Sequence, residues 1–327
     1  MIKRSKNILV CLSLIILGVL FGYLSFGLNN GIKNDCVTKL NLIKRNIDCE
    51  IYDDKIQKLS SLENTLSVLI DGYKKTGKIK RMSVFVRDLN TSRFAGYKDD
   101  ETYYMASLLK TPLVIGGFKL AEVEPKVLDQ VIEYNGVPNL YGDQVIKSDE
   151  ILNTGQSYTV KELMKRSVVY SDNTAAQMLF DYFPEEFLSK IMQALGIQIT
   201  KPSGEVENYI TVRTYANMFR LLYNASYLTK EYSNETLEML TQTKFHDGAT
   251  SKLPKDVKVA HKFGERTLVY DDGRVALKQF HECGIVYAEN GDEPYIFCIM
   301  TEGDDYQKLQ QVIADISLVV YDEIIKD

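Results

Sequence analysis

The spacing of apolar residues predicts strands at both ends of the folded region. Alternating or continuous runs of β-branched and aromatic residues favour strands. Toward the amino terminus they predict strands over residues 82–89 and 91–97, joined by a hairpin. Toward the carboxy terminus they predict strands over residues 257–263, 280–288 and 295–301. The last two flank Asn290-Gly291, a pair typical of two-residue hairpins.

Helical spacing of apolar residues accounts for most of the remaining chain. One helix is predicted before the first strand, at residues 56–76, and one after the last strand, at residues 305–325. Further helices are predicted between the two groups of strands, at residues 107–122, 160–169, 174–182, 185–195, 211–223 and 234–241. This order predicts an α/β (α+β) fold, in which helices flank one antiparallel five-stranded sheet and the chain carries an all-helical insertion.

The amino-terminal segment is uncharged from residue 8 to residue 28, and three basic residues precede it. It is long enough to cross a bilayer as a helix. Basic residues before such a segment favour a cytoplasmic amino terminus. We interpret residues 1–28 as a single-pass anchor in the cell membrane, with the rest of the chain outside the cell. A cleaved signal peptide is the alternative, with a weak cleavage site at Ser25 and Gly27.

Composition is that of a globular protein. The chain of 327 residues has 45% hydrophobic and 25% charged residues and a net charge of −5. This acidic balance argues against nucleic-acid binding. Residues 29–55 are polar and predict a stalk, which leaves residues 56–327 for one domain. We predict no metal and no cofactor, since no spacing of Cys and His indicates a metal site.

Four cysteines follow the apolar segment. Cys36 and Cys49 lie in the predicted stalk, and Cys283 and Cys298 are equidistant from the predicted hairpin turn. The second pair would therefore face each other across two strands. The sequence leaves open whether either pair forms a disulfide or stays reduced.

Ser107 and Lys110 are three residues apart at the start of a predicted helix, so their side chains share one face. A serine hydroxyl becomes nucleophilic when a base takes its proton, and a lysine can be that base when burial lowers its pKa. A helix-capping serine followed by a solvated lysine has the same spacing. Ser107 is the only serine in the chain with a lysine three residues later.

Two later triplets accompany this pair. They are Ser171-Asp172-Asn173 and Lys262-Phe263-Gly264, each of which is ordinary turn or strand-end chemistry when it occurs alone. Together with Ser107 and Lys110 they resemble the S-x-x-K, S-D-N and K-T-G motifs of the class A β-lactamase and penicillin-binding-protein family. The resemblance extends from about residue 56 to the carboxy terminus, and it implies the same fold as the order of elements.

The resemblance also implies roles for these residues. Ser107 would attack a carbonyl carbon and form an acyl-enzyme, with Lys110 as its base. Ser171 would pass a proton to the leaving nitrogen. Lys262 would supply positive charge that attracts a substrate carboxylate, and Asn173 would hold Lys110 and a substrate amide.

The oxyanion hole implied by the resemblance consists of the backbone N–H groups of Ser107 and Glu265, next to Gly264. Phe263 departs from the family pattern, which usually has Thr or Ser there. A hydroxyl that would bind the substrate carboxylate is therefore missing, although Phe263 stays a candidate substrate-binding residue.

The second departure is a short loop. Class A hydrolases carry a longer loop with a glutamate that activates the deacylating water. Here the corresponding segment is only residues 197–210, and Glu205 and Glu207 are its candidate bases.

The motifs favour an exported serine hydrolase that forms an acyl-enzyme with β-lactam amides and releases it slowly. A D-alanyl-D-alanine-type cell-wall peptidase shares the acylation chemistry and is the second interpretation. The third is a sensor or scaffold domain that binds penicillin without turnover. The partners would be a β-lactam or cell-wall peptide, and the membrane through the amino-terminal helix. The sequence does not determine the oligomeric state.

Overall fold

The computed structural model describes residues 42–43, 58–144, 146, 150–200, 207–270 and 272–326. Residues 1–28, predicted as an anchor, lie outside these ranges, as do Cys36 and Cys49. Within the described ranges, no helix has both the length and the apolar character needed to cross a membrane.

The described residues form ten strands and eight α-helices. The strands are β1 (Arg81–Asp88), β2 (Phe94–Tyr97), β3 (Thr102–Tyr104), β4 (Val131–Tyr134), β5 (Gln156–Thr159), β6 (Gln198–Thr200), β7 (Glu207–Thr211), β8 (Lys258–Val269), β9 (Val275–Ala288) and β10 (Glu293–Gly303). The helices are α1 (Ser60–Lys75), α2 (Lys110–Ala121), α3 (Val160–Val169), α4 (Asn173–Tyr182), α5 (Glu185–Ala194), α6 (Val212–Tyr223), α7 (Lys230–Thr241) and α8 (Tyr306–Lys326).

The central sheet is antiparallel, with the strand order β2-β1-β10-β9-β8. This confirms the predicted five-stranded sheet. Strands β8 and β9 are longer than predicted, because their pairing continues to Val269 and Val275. Charged and polar residues on this extension, such as Arg266 and Lys278, interrupt the apolar alternation on which a strand prediction depends.

The two faces of the sheet cover separate parts of the core, because successive side chains of a strand point to opposite faces. On one face, residues such as Val84 and Phe297 pack with apolar residues of α1 and α8. On the other face, residues such as Phe85 and Ile285 pack against the helical region between β2 and β8. Cys283 and Cys298 lie opposite each other on β9 and β10, and they form a disulfide on this second face.

The helical region also contains strands that were not predicted. Strands β4 and β5 form a two-stranded sheet, and β3, β7 and β6 form a three-stranded one. Each of these strands has three to five residues, which is too short for a clear period of two.

Several helices begin at recognisable caps. Thr159 forms a capping box with Glu162 before α3, and Thr211 caps α6.

An apolar pair that lies before residue 58 in the sequence belongs to the domain core. Leu42 and Ile43, inside the predicted stalk, are 4% and 1% exposed. The backbone N–H of Leu42 donates to Asn234 Oδ1 over 3.2 Å, and its carbonyl oxygen accepts from the Tyr287 hydroxyl over 2.8 Å. The core therefore includes a short segment from the region predicted as a polar stalk.

Candidate active site

Ser107 lies on a 3₁₀ turn, Ala106–Leu109, between β3 and α2. The predicted helix therefore begins with a tighter turn, and Lys110 is the first residue of α2. Ala106 has a φ of 48°, a left-handed conformation that costs an alanine about 1 kcal/mol. Strain of this kind persists where the surrounding contacts hold the backbone, which is common at functional sites.

Two buried side chains from other elements bind this turn and the end of β3 before it. The Tyr215 hydroxyl, on α6, donates to the Leu108 carbonyl oxygen over 2.9 Å. His281, on β9, accepts at Nδ1 from the Thr301 N–H over 3.2 Å, so its Nε2–H donates to the Tyr104 carbonyl oxygen over 3.1 Å. Burial lowers the pKa of His281 to about 3, which keeps the ring neutral. Neither residue was predicted, since a single Tyr or His far along the chain has no local pattern.

Lys110 is 5% exposed, and its amino group contacts three other predicted site residues. Its Nζ lies 3.1 Å from Ser107 Oγ, 3.3 Å from Ser171 Oγ and 2.6 Å from Asn173 Oδ1. It also donates to the Ser171 carbonyl oxygen over 2.5 Å. The structure therefore brings these predicted residues together around one amine.

Burial lowers the pKa of Lys110 to about 7. The negative charges of Asp172 and Glu265 act in the opposite direction and raise it. A lysine with this pKa is neutral in a large fraction of molecules at neutral pH. Lys110 can therefore accept the proton that Ser107 must lose when it attacks a carbonyl carbon.

Ser171 is held by the loop that precedes α4. Its φ of 54° is also left-handed. Asp172 caps α4, because its Oδ1 accepts from the Ala175 N–H over 3.0 Å. Gln144 Nε2 donates to the Ser171 carbonyl oxygen over 2.7 Å. Gln144 was not predicted, because the loop that carries it has no motif.

Lys262, on β8, is fully buried and contacts Ser171. Its Nζ lies 2.9 Å from Ser171 Oγ and donates to the Phe263 carbonyl oxygen over 2.7 Å. Burial lowers its pKa well below the ordinary value for lysine, and the neighbouring Lys110 lowers it further. The Ser171 hydroxyl therefore lies between two amines that release protons easily.

Phe263 turns its side chain into the core. It is 3% exposed, and its ring packs in a tilted arrangement against Phe245, with centroids 4.4 Å apart, and stacks with Phe280 at 6.2 Å. The ring also lies 4.1 Å from Lys262 Nζ. The Phe263 ring thus packs against the amino group of Lys262 and fills space on the core side of β8.

Gly264 is where β8 comes closest to the nucleophile turn. A Cβ atom at this position would lie 3.1 Å from Leu108 N and Met105 O and 3.2 Å from Ser107 N. These neighbours are backbone atoms, which cannot rotate away as a side chain can. The absence of a side chain at Gly264 thus keeps the N–H of Ser107 next to β8, where an oxyanion hole requires it.

Glu265 follows Gly264 on β8. Its Oε1 accepts from the backbone N–H of Ile146 over 2.8 Å. Glu205 lies outside the described residues, and of Glu207 only the backbone is described, as the first residue of β7. The described ranges contain no group of three or more His, Cys, Asp or Glu side chains that could hold a metal ion.

Comparison with known proteins agrees with this geometry. A family model described as "Beta-lactamase enzyme family" matches residues 61–324. The β-lactamase L2 of Stenotrophomonas maltophilia is 30% identical over 100 residues, which are 31% of this chain and 32% of that protein. The match therefore spans about a third of the length of that curated relative.

Several solved structures share the fold. PBP-A is 18% identical with a TM-score of 0.68, over 83% of this chain and 98% of that chain. An ancestral (GNCA) class A β-lactamase is 22% identical with a TM-score of 0.65, over 80% and 99% of the two chains. A mutant of PBP-A, solved as an acyl-enzyme complex with penicillin G, is 19% identical with a TM-score of 0.67, over 83% and 98%.

Proposed function

Because the chain belongs to the β-lactamase enzyme family, we propose that it is a serine hydrolase in which Ser107 forms an acyl-enzyme with β-lactam amides and releases it slowly. The observation that carries the proposal is the position of Lys110. A buried amine with a lowered pKa contacts the hydroxyls of both Ser107 and Ser171. A base within hydrogen-bond reach of its nucleophile is the arrangement that covalent catalysis needs.

Acylation proceeds in two steps. Ser107 Oγ attacks the lactam carbonyl carbon while its proton moves to Lys110 Nζ, and the resulting oxyanion accepts hydrogen bonds from the N–H groups of Ser107 and Glu265. The C–N bond then breaks. The leaving nitrogen takes the proton of Ser171, which Lys110 or Lys262 replaces over the short contacts described above. The product is an ester on Ser107 and a neutral amine.

We extend the proposal to location. The uncharged segment at residues 8–28, with basic residues before it, supports a membrane anchor with the domain outside the cell. The disulfide between Cys283 and Cys298 is consistent with export, because disulfides persist mainly in oxidising compartments. The test is fractionation of cells with sequencing of the mature amino terminus. Full-length protein in the cytosolic fraction, or a mature chain that starts after Gly27, contradicts the anchor.

The acylation proposal is tested by incubating the purified protein with benzylpenicillin and following its intact mass. We expect an increase of one penicillin per chain, with the adduct on Ser107 after proteolysis. Ser107→Ala should abolish the increase, while Ser251→Ala, at an exposed loop serine, should leave it unchanged. An adduct that forms on Ser107→Ala at an undiminished rate contradicts the assignment of the nucleophile. A wild-type protein that takes up no penicillin contradicts the activity.

A further inference from the structure

A second cavity, of about 480 Å³, lies beside the start of β8. Its lining residues all fall between Thr241, at the end of α7, and His261 on β8. Successive side chains of a strand point to opposite faces, and Lys262 contacts Ser171. His261 therefore points away from the candidate active site. The volume of this cavity is in the range of sites that hold small molecules.

A buried pair of ionisable side chains lies at this cavity. His261 lines the cavity and is 2% exposed. Its Nδ1 lies 2.7 Å from Oε1 of Glu282, a fully buried carboxylate on β9. The two ring nitrogens are distinct, and a carboxylate at Nδ1 fixes the proton there. Nε2 is then the ring nitrogen that can bind a ligand.

The chain segment that lines the cavity also holds this pair in place. Glu282 Oε2 accepts from the Ala249 N–H over 2.7 Å, and a Cβ atom at Gly248 would overlap the same oxygen. The Thr243 hydroxyl donates to the carbonyl oxygen of His261 over 2.8 Å. Both strands of the pair are thus bonded to the segment before β8, which keeps the cavity preformed.

The lining combines positive charge with an apolar wall. Lys255 and Lys258 are exposed lining residues, and Asp247 is the one acidic side chain that lines the cavity. Leu253 and Val259, which are buried, supply apolar surface. A ligand that matches this lining carries one negative charge on an apolar body, because amines bind anions through charge-assisted hydrogen bonds.

We propose that this cavity is a binding site for a small organic acid, separate from the site of Ser107. The acid group lies near Lys255 and Lys258, and the apolar body lies against Leu253 and Val259. His261 binds the ligand through Nε2, while Glu282 keeps the imidazole in position. The site goes beyond the proposed function, because neither Ser107 nor an acyl donor takes part in it.

The test follows the three histidines of the chain by NMR of their carbon-13-labelled rings in the full-length protein. His246 and His261 line the cavity, whereas His281 contacts the backbone before the nucleophile turn and serves as an internal control. The signals are assigned through the backbone. The probes are benzoate, benzamide and benzylammonium, which share one ring and differ in charge.

We expect benzoate to shift the signals of His246 and His261 and to leave that of His281 in place. Its dissociation constant should be at least about tenfold lower than that of benzamide, and benzylammonium should bind more weakly still. This order of the three probes separates binding by charge from binding by the apolar wall alone.

The double substitution Lys255→Gln with Lys258→Gln should weaken benzoate binding about tenfold, because each exposed lysine contributes a modest electrostatic attraction. The matched control is Lys126→Gln with Lys165→Gln. It removes the same charge from two exposed lysines that do not line the cavity, and it should leave the dissociation constant unchanged.

Signals of His246 and His261 that do not move at about 10 mM benzoate, where even a millimolar site is mostly occupied, would overturn the proposal. Equal affinity for the three probes, or a shift confined to His281, would also contradict it. A double lysine variant that binds benzoate within twofold of the wild type would show that these lysines do not select the acid.

Discussion

Lys262 is fully buried, and its amino nitrogen lies 2.9 Å from the hydroxyl oxygen of Ser171. The same oxygen lies 3.3 Å from the amine of Lys110. Two protonated amines that contact the same hydroxyl repel each other. In a buried site this repulsion disfavours the state in which both amines carry a positive charge. The arrangement therefore favours a neutral base next to Ser107 and a proton relay through Ser171.

The first prediction concerns pH. Lys110 acts as a base only when deprotonated, so acylation should fall about tenfold per pH unit below its pKa of about 7 and become level above it. The measurement is the acylation rate of a chromogenic cephalosporin between pH 5 and pH 9. A rate that keeps rising all the way to pH 9, as an unperturbed lysine would give, contradicts the role of burial.

A substitution of Asp172 tests the same pH dependence of acylation. Its negative charge raises the pKa of Lys110, so Asp172→Asn should lower that pKa and move the rising part of the profile to lower pH. Asparagine can still cap α4. The matched control is Asp181→Asn, which changes the same charge at an exposed position of the same helix. A shift to higher pH would show that Asp172 acts mainly by holding Ser171.

The residues to which we assign the proposed chemistry could be predicted from the sequence, and most of those that contact them could not. Ser107, Lys110 and Lys262 belong to short motifs whose order and spacing are specific. Tyr215 and Gln144 are brought to the site by the tertiary fold, because each is far in sequence from the atom that it contacts. No local spacing contains that information.

The same reasoning explains the errors in the fold. The sheet was predictable because four of its five strands are long, with 8 to 14 residues. The small sheet of β4 and β5 was missed, because strands of four residues leave no period to read. Phe263 was expected at the substrate, and the sequence motif alone could not show that its ring turns toward Phe245.

The second prediction concerns Gly264. A methyl group there would come within 3.1 to 3.2 Å of three backbone atoms of the nucleophile turn. Gly264→Ala should therefore displace the N–H of Ser107 and reduce acylation about 100-fold, the effect of losing one oxyanion donor. Gly72→Ala is the control, since a methyl group on that exposed position of α1 meets no atom within 4 Å. Unchanged acylation by Gly264→Ala contradicts the oxyanion role of this contact.

The third prediction concerns stability. Phe263→Thr should lower the free energy of unfolding by about 3 kcal/mol, because it leaves a cavity beside Phe245 and Phe280. For a domain of this size the melting temperature should fall by roughly 6 to 12 °C. The new hydroxyl would point toward the core, so acylation by penicillin should not increase more than twofold. Phe263→Leu, which keeps most of the apolar volume, should cost less.

A tenfold gain in acylation by Phe263→Thr would show that the side chain at this position can reach the substrate. Thermal unfolding followed by circular dichroism measures the stability change, and the intact-mass assay measures acylation on the same samples.

The last prediction is that acylation is faster than deacylation with β-lactams. Hydrolysis of the ester needs a base within hydrogen-bond reach of a water, in addition to the groups that acylate Ser107. Two carboxylates act on Lys110: Asp172, which is fully buried and caps α4, and Glu265, which is bonded to the N–H of Ile146. Each of them already accepts a hydrogen bond from a backbone N–H group.

Loss of a deacylation base typically costs about 10² to 10⁴ in rate, enough for the adduct to accumulate. We therefore expect a pre-steady-state burst of one equivalent, followed by slow turnover with the adduct visible by mass. Glu205→Gln and Glu207→Gln should leave the slow phase within about twofold. Rapid turnover without a burst, abolished by either substitution, would mean that the short loop supplies a catalytic carboxylate. Deacylation would then depend on a residue outside the set that surrounds Lys110.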